Sequence, residues 1–169
     1  WDFSRDGKAW QQVAVPHDWA IAGPFDKKWD LQMVAIEQNG EKEKTEKSGR
    51  SGALPWIGEG MYKMNLQLPK GYKRAVLVFD GAMSQPIVKV NGKEAGRWAY
   101  GYNAFRIDIT PYVHFGGKKN LVEVHLSNVE ESSRWYPGGG LYRPVSVELY
   151  GNENFSTWDT FVRTLKADK

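Results

Sequence analysis

Residues 132–143 carry the side chains best suited to binding chemistry in this sequence: two arginines, three aromatic residues and three glycines. Aromatic rings beside guanidinium groups make flat surfaces with hydrogen-bond donors, and sugars bind such surfaces by stacking and hydrogen bonding. Glycines let the backbone adopt positive φ or approach another group closely. A second interpretation is a rigid corner whose rings cover the core, and composition alone favours it because most loop aromatics are packed.

No arrangement of nucleophile, base or carboxylate pair indicates a catalytic centre. His17 precedes Asp18, but neighbours in an extended segment point to opposite faces and cannot pair there. Residues 15–19 are therefore predicted to be the end of a structural strand. A glycosidase needs two carboxyl groups about 5–10 Å apart. Most Asp and Glu instead alternate with apolar residues, and Glu153 follows a turn signal, so no catalytic residue is predicted in this chain.

Metal and cofactor sites have little support in the sequence. The three histidines, His17, His114 and His125, have no partner at the short spacing that zinc ligands adopt. His125 alternates with apolar residues and is predicted to lie on a strand face. There is no cysteine, which excludes disulfides and thiolate ligands, and no phosphate loop or nucleophile elbow occurs. We predict no metal and no cofactor.

The composition is that of a globular protein, with 41% hydrophobic and 25% charged residues in a chain of 169. The net charge of +3 comes from 23 basic and 20 acidic residues that are interleaved along the chain. Such a balance predicts no nucleic-acid surface. No apolar run reaches the roughly 18 residues of a membrane-spanning helix, so no membrane span is predicted. The compartment is not determined by these features.

The elements that must position any site are strands. Apolar residues recur with a period of two, and no window of about a dozen residues has a helical period. Strands are predicted over residues 62–68, 75–79, 86–90, 93–99, 105–109, 122–126, 145–149 and 158–164. Asn91-Gly92 predicts a type I′ hairpin turn, which requires positive φ at both residues. Short strands divided by turn signals predict an all-β fold, an antiparallel β-sandwich or jelly roll.

Three regions depart from this pattern. Residues 37–50 are almost devoid of apolar side chains and carry charges that cancel, which predicts a solvated loop. Residues 51–60 contain Pro55, Trp56 and several glycines and could frame a pocket. Residues 158–164 begin a strand that has no later segment to pair with, and the chain starts without methionine. We therefore expect the chain to be a segment of a longer protein.

Four motifs resemble the N-terminal domain of glycoside hydrolase family 2, which includes β-galactosidases, β-glucuronidases and β-mannosidases. They are VPHDW at 15–19, GEGMYK at 58–63, FDGA with VNGK within 79–93, and SRWYPGGGLYR at 133–143. The family has the last motif as Ser-Arg-Trp-Tyr-Pro-Gly-x-Gly-Ile-Tyr-Arg, which makes this match highly specific. The resemblance spans roughly residues 10–150, nearly the whole chain.

This resemblance implies a jelly-roll fold of the galactose-binding-domain type over residues 1–152. Residues 153–169 would then begin an immunoglobulin-like second domain. The parent enzyme would hydrolyse β-linked glycosides with retention, with β-galactosides as the expected substrates, through two glutamates on a (β/α)₈ barrel. No residue of this chain matches those glutamates, so the chain alone is expected to be inactive. Its expected partners are a carbohydrate and the remaining domains of that enzyme.

The resemblance also implies where sugar would be met. Loops of the family's first domain reach over the barrel mouth, and by position Ser133, Arg134 and Trp135 are the expected substrate-binding residues here. Residues 51–56 form a second candidate loop. The best-known β-galactosidases have a carboxylate near position 134, so arginine leaves the sugar open: it could bind a hydroxyl pair or an anionic group. Residues 137–142 would form the rigid turn beneath Arg134.

Two other functions fit the same residues. A free-standing carbohydrate-binding module would share the fold and would bind sugar without a barrel. A purely structural domain would use residues 132–143 only as a packed corner. Binding by the isolated chain separates the first from a docking domain, and substitution of Arg134 in the intact enzyme tests the second.

Overall fold

The structure, a computed structural model, describes residues 1–29, 34–38, 41–45, 55–128, 137–155 and 160–167. The strands in chain order are β1 (Asp2–Ser4), β2 (Gln11–Gln12), β3 (Val34–Gln38), β4 (Glu41–Thr45), β5 (Gly58–Gln67), β6 (Arg74–Phe79), β7 (Ile87–Val90), β8 (Lys93–Arg97), β9 (Phe105–Asp108), β10 (Lys119–Asn128) and β11 (Val145–Tyr150). Helix is confined, within these ranges, to one turn, α1 (Trp19–Ala22), and two 3₁₀ turns, Lys27–Trp29 and Thr110–Tyr112.

Two antiparallel sheets form the body of the protein. One has the strand order β2-β1-β5-β10-β7-β8 and the other the order β11-β6-β9. In β10 the residues Val122, Val124 and Leu126 are buried and alternate with less buried neighbours, because successive side chains of a strand point to opposite faces. The predicted all-β antiparallel sandwich is confirmed.

The hairpin between β7 and β8 turns at the predicted dipeptide. Asn91 and Gly92 have φ values of 51° and 79°, the pair of positive angles that a type I′ turn requires. The Asn91 side chain also ties the turn to the rest of the sheet, since its Nδ2 donates to Tyr112 O at 2.8 Å and to Asn120 Oδ1 at 3.0 Å.

The prediction of a solvated loop over residues 37–50 is wrong where the structure describes it. Strands β3 and β4 form a separate antiparallel hairpin, with Glu37 opposite Lys42 and Gln38 opposite Glu41. The sequence between the two strands is Asn39-Gly40, a strong hairpin signal. The prediction relied on apolar alternation, which most of this sequence lacks. A hairpin can form without that alternation, because its backbone hydrogen bonds do not depend on the side chains.

The strand predicted over residues 158–164 is also wrong in its described part. Residues 160–167 have no regular secondary structure, and no described strand pairs with them. Phe161 and Leu165 are 84% and 86% exposed. A strand needs a neighbour to take up its backbone hydrogen bonds, which explains the absence. The domain boundary at residue 152 stays a prediction.

The core lies between the sheets and extends to a surface ring. Phe79 and Phe105 are buried with their rings 4.7 Å apart and nearly parallel. Trp98 also stacks on Phe105, at 5.6 Å, and is 40% exposed. These three rings connect the buried core to the surface.

Candidate functional site

The segment that follows residues 133–136 is clamped by α1. Trp19 N donates to Gly139 O at 3.0 Å, and Gly139 N donates to Asp18 Oδ1 at 3.0 Å. The same Asp18 oxygen accepts from Ala20 N at 2.8 Å and so caps the N-terminus of α1. One carboxylate thus fixes two chain segments. The prediction that residues 15–19 end a strand is wrong, because Asp18 caps a helical turn and the chain continues into α1. The structural role of these residues is to hold the corner.

Gly140 and Leu141, the next two residues, are also held by hydrogen bonds to other parts of the chain. Gly140 and Met83 exchange both backbone hydrogen bonds, at 3.0 and 2.9 Å, and His17 N donates to Leu141 O at 2.8 Å. Leu141 is fully buried. Residues 139–141 are therefore held on two sides by backbone hydrogen bonds and by the Asp18 carboxylate, and the prediction of a rigid corner is confirmed for this part of the segment.

The corner requires glycine at two positions for different reasons. A Cβ on Gly139 would lie 2.0 Å from Trp19 Nε1, so no side chain fits between the segment and the indole. Gly140 has φ +97°, which disfavours residues with a Cβ, and its Cβ would lie 2.2 Å from Tyr62 Oη. Close approach to the two buried rings is what the glycine run provides.

The end of β10 and the start of the corner are joined by a hydrogen bond. Asn128, the last residue of β10, is 2% exposed, and its Nδ2 donates to Gly138 O at 3.2 Å. Ser133, Arg134 and Trp135 lie between these two residues in the sequence but outside the described residues. Their role in binding sugar stays a prediction.

Beneath the corner lies a cluster of packed rings. Trp19 is stacked on Phe3 at 5.6 Å and lies 5.3 Å from Trp56, while Tyr62 approaches Phe3 at 4.8 Å. Tyr62 Oη lies 2.7 Å from His17 Nδ1. Burial raises the pKa of Tyr62 and lowers that of His17, with Asp18 opposing the second shift and Arg5 adding to it. The imidazole is thus favoured as a neutral, hydrogen-bonded member of the cluster.

An open cleft of about 620 Å³ borders this ring cluster, with Arg5, Trp10 and His17 among its lining residues. Of the predicted pocket-framing residues 51–60, Trp56 lies behind the cleft, since the Arg5 guanidinium is 4.5 Å from the centroid of its ring. Residues 51–54 lie outside the described ranges. No motif in the sequence pointed to Arg5 or Trp10, which occupy a short polar turn between β1 and β2.

No family model matches the chain. A β-galactosidase of Bacteroides ovatus is 32% identical over 163 residues, covering 95% of this chain and 17% of that protein. A β-glucuronidase of Formosa agariphila, named as putative, is 30% identical over 174 residues, covering 99% and 15%. The crystal structure of a glycosyl hydrolase family 2 member from Bacteroides cellulosilyticus superposes with a TM-score of 0.70, 28% identity and coverage of 98% and 22%. The chain is a glycoside hydrolase family 2 domain. It spans less than a quarter of the length of each of these relatives.

In this family 2 domain the described residues contain no group of three or more His, Cys, Asp and Glu side chains placed to hold a metal ion. None of its described helices is long and apolar enough to cross a membrane. His125, predicted on a strand face, is half-buried on β10 with its Nε2 3.3 Å from Glu59 Oε2. Asp18, the carboxylate at the corner, caps α1 and accepts hydrogen bonds from backbone N–H groups.

The half-buried His17 makes the stability of the family 2 domain sensitive to mild acid. Burial lowers its pKa in the folded state, so below about pH 6.5 the unfolded chain takes up a proton that the folded chain resists. The free energy of unfolding is expected to fall as the pH drops from about 6.5 through the lowered pKa. Urea unfolding at pH 7.5, 6.5 and 5.5 measures this slope.

The matched variant is His17→Gln. It keeps a partner for Tyr62 and removes the titrating ring, so its stability should vary less with pH over this window. Equal slopes for the parent and His17→Gln would contradict the assignment.

Proposed function

We propose that this family 2 domain is the non-catalytic, jelly-roll N-terminal domain of a longer β-glycosidase and that it borders the sugar-binding site of a catalytic barrel. The observation that carries the proposal is the clamped corner at residues 137–141, which follows directly on the predicted binding residues. Asn128 and Gly138 hold the two ends of the intervening segment together. A fixed base for this segment supports a role in orienting substrate, which needs a defined geometry.

In this proposal Arg134 is the principal substrate-binding residue, and Trp135 and Ser133 assist it. A guanidinium offers a planar fork of donors that matches two hydroxyl oxygens or a carboxylate. The domain makes and breaks no bond. Two glutamates of the barrel would carry out retaining hydrolysis, and the arginine would lower the barrier by holding the sugar in place.

The proposed substrate is a β-galactoside or a related β-glycoside. This assignment draws on relatives that carry the names β-galactosidase and β-glucuronidase. The arginine at position 134 is compatible with both, because it can pair with hydroxyl groups or with an acidic sugar. Assays of the full-length enzyme with matched galactoside and glucuronide substrates distinguish the two.

Arg134→Ala in the full-length enzyme is expected to lower kcat/KM by about 5- to 150-fold, or roughly 1–3 kcal/mol of transition-state binding. Steady-state kinetics on the preferred chromogenic glycoside measures the loss. Arg97→Ala is the control, since Arg97 is exposed on β8 and pairs with Glu94 at 2.7 Å. An unchanged kcat/KM in Arg134→Ala would leave the segment with a structural role only.

A free-standing carbohydrate-binding module is the second candidate, and the open cleft beside Arg5 and Trp10 favours it. Calorimetric titration of the isolated 169-residue chain with neutral galactosides separates the two candidates. Micromolar binding would support a self-sufficient module, whereas no binding is expected of a docking domain. In both cases the isolated chain should not hydrolyse a chromogenic β-galactoside, because no catalytic glutamate is assigned to it.

A further inference from the structure

The cleft beside the N-terminal strand is a second candidate binding site, and its described lining residues all lie within the first 24 residues of the chain. On one side it is lined by the turn between β1 and β2, including Arg5, Asp6 and Trp10, and on the other by residues 22–24. His17 and the edge of the ring cluster line it as well. Its volume of about 620 Å³ is in the range of small-molecule sites.

Arg5 is the cation of this cleft, and its charge has no carboxylate partner among the described residues. Its Nη2 donates to Gly23 O, and its guanidinium rests on the Trp56 ring. A guanidinium has five N–H donors, so most of them are unused by the described part of the chain. Burial lowers the pKa of Arg5, which means that the group has lost part of its hydration. An anion reaching it would meet a poorly solvated, preoriented fork.

Asp6, the one carboxylate among the described residues that line the cleft, does not neutralise Arg5. Asp6 Oδ1 accepts from Ser4 Oγ at 3.1 Å, Lys8 N at 2.8 Å and Ala9 N at 3.0 Å. These hydrogen bonds lower the pKa of Asp6 and hold the carboxylate within its own turn. Its charge therefore stabilises the turn that shapes the cleft wall, and no described carboxylate pairs with the Arg5 guanidinium.

A second cation and an aromatic wall lie nearby. Lys63 Nζ is 3.7 Å from the centroid of the Trp10 ring, and Trp10 remains 36% exposed. Trp10 Nε1 donates to Gly7 O at 3.1 Å, which fixes the orientation of the indole. A fixed indole with exposed apolar surface is a suitable wall for the C–H face of a pyranose ring.

We propose that this cleft binds an acidic sugar, with its carboxylate or sulfate oxygens on the Arg5 guanidinium and its ring against Trp10. The two kinds of anion share the planar or tripodal oxygens that an arginine fork binds with charge-assisted hydrogen bonds. A neutral sugar would gain the aromatic contact only. The site does not depend on the role proposed for Arg134, so either can fail alone.

The test is calorimetric titration of the 169-residue chain at low salt with three probes: methyl β-glucuronide, galactose 6-sulfate and neutral methyl β-glucoside. We expect at least one acidic sugar to bind about tenfold or more tightly than the neutral one, and comparison of the two acids identifies the preferred anion. Arg5→Gln should lower that affinity about tenfold, and Arg97→Gln, on a distant exposed arginine, should not.

Because Arg5 also contacts Gly23 and Trp56, the thermal unfolding of Arg5→Gln is measured in parallel. If that variant is unfolded, Trp10→Ala provides the second measurement and is expected to weaken binding several-fold. Equal affinity for acidic and neutral sugars, or binding that survives both Arg5→Gln and Trp10→Ala, would overturn the proposal. Loss of acidic-sugar binding in Arg134→Ala with retention in Arg5→Gln would also overturn it, because the anion would then bind at the other segment.

Discussion

Replacing Trp19 by alanine is expected to lower the free energy of unfolding by about 3–5 kcal/mol. The side chain is fully buried, with 0% exposure, and its ring packs against Phe3 and Trp56. Removing it leaves a cavity between α1, β1 and the corner that the clamped backbone cannot close. Since domains of this size are stable by only about 5–15 kcal/mol, much of the total would be lost. Urea unfolding followed by circular dichroism measures it.

Trp98→Ala is the matched control for this substitution. Trp98 is also stacked on a buried ring, that of Phe105, but it is 40% exposed and borders solvent. Its loss should cost less than half as much, because a truncated surface ring leaves no closed cavity. Equal losses for the two tryptophans would show that the ring cluster around Trp19 is not a centre of stability.

Gly139→Ala is expected to cost about 3 kcal/mol, at the upper end for overpacking. The added Cβ would lie 2.0 Å from Trp19 Nε1, and the backbone of Gly139 is fixed by hydrogen bonds to Asp18 and Trp19. Neither side can move without breaking a bond. For a chain of this length the melting temperature should fall by about 6–12 °C. Gly151→Ala, with no atom within 4 Å of the added Cβ, should have little effect.

The double variant Trp19→Ala/Gly139→Ala identifies the cause of the stability loss in Gly139→Ala. If the indole is what excludes a side chain at position 139, Gly139→Ala should cost little once Trp19 is alanine. The two changes should then be non-additive by about 2 kcal/mol, which is within the range measured for residues in contact. Strict additivity would mean that the glycine is required for another reason.

The strands that could be predicted from the sequence are those with one buried face. In β5 and β10 the alternation of apolar and polar residues survives in the structure as an alternation of burial. The β3–β4 hairpin was missed because its sequence has little apolar alternation, although Asn39-Gly40 signals a turn. For residues 158–164 the reverse occurred: a strand-like pattern is present, and no described strand supplies its hydrogen bonds.

The corner could be located from its motif, whereas the cleft could not. The glycine run at 138–140 is visible in the sequence, and the structure explains it by the approach of Trp19 and Tyr62. The cleft depends on Arg5 meeting Gly23 and Trp56, which are far apart along the chain. Such contacts follow from tertiary packing, and local sequence patterns do not predict them.

The hydrogen bond between Asn128 and Gly138 makes the fold largely independent of the sequence between these two residues. Both ends are fixed to the sandwich, so a change in the number of intervening residues changes the entropy of closing the connection. That entropy changes slowly, by about 0.6 kcal/mol for each doubling of length. Evolution could therefore lengthen, shorten or rewrite this stretch while leaving the scaffold intact. The tie at its base makes the stretch an exchangeable insert. Under the role proposed for Arg134, one architecture could then serve enzymes with different sugar preferences.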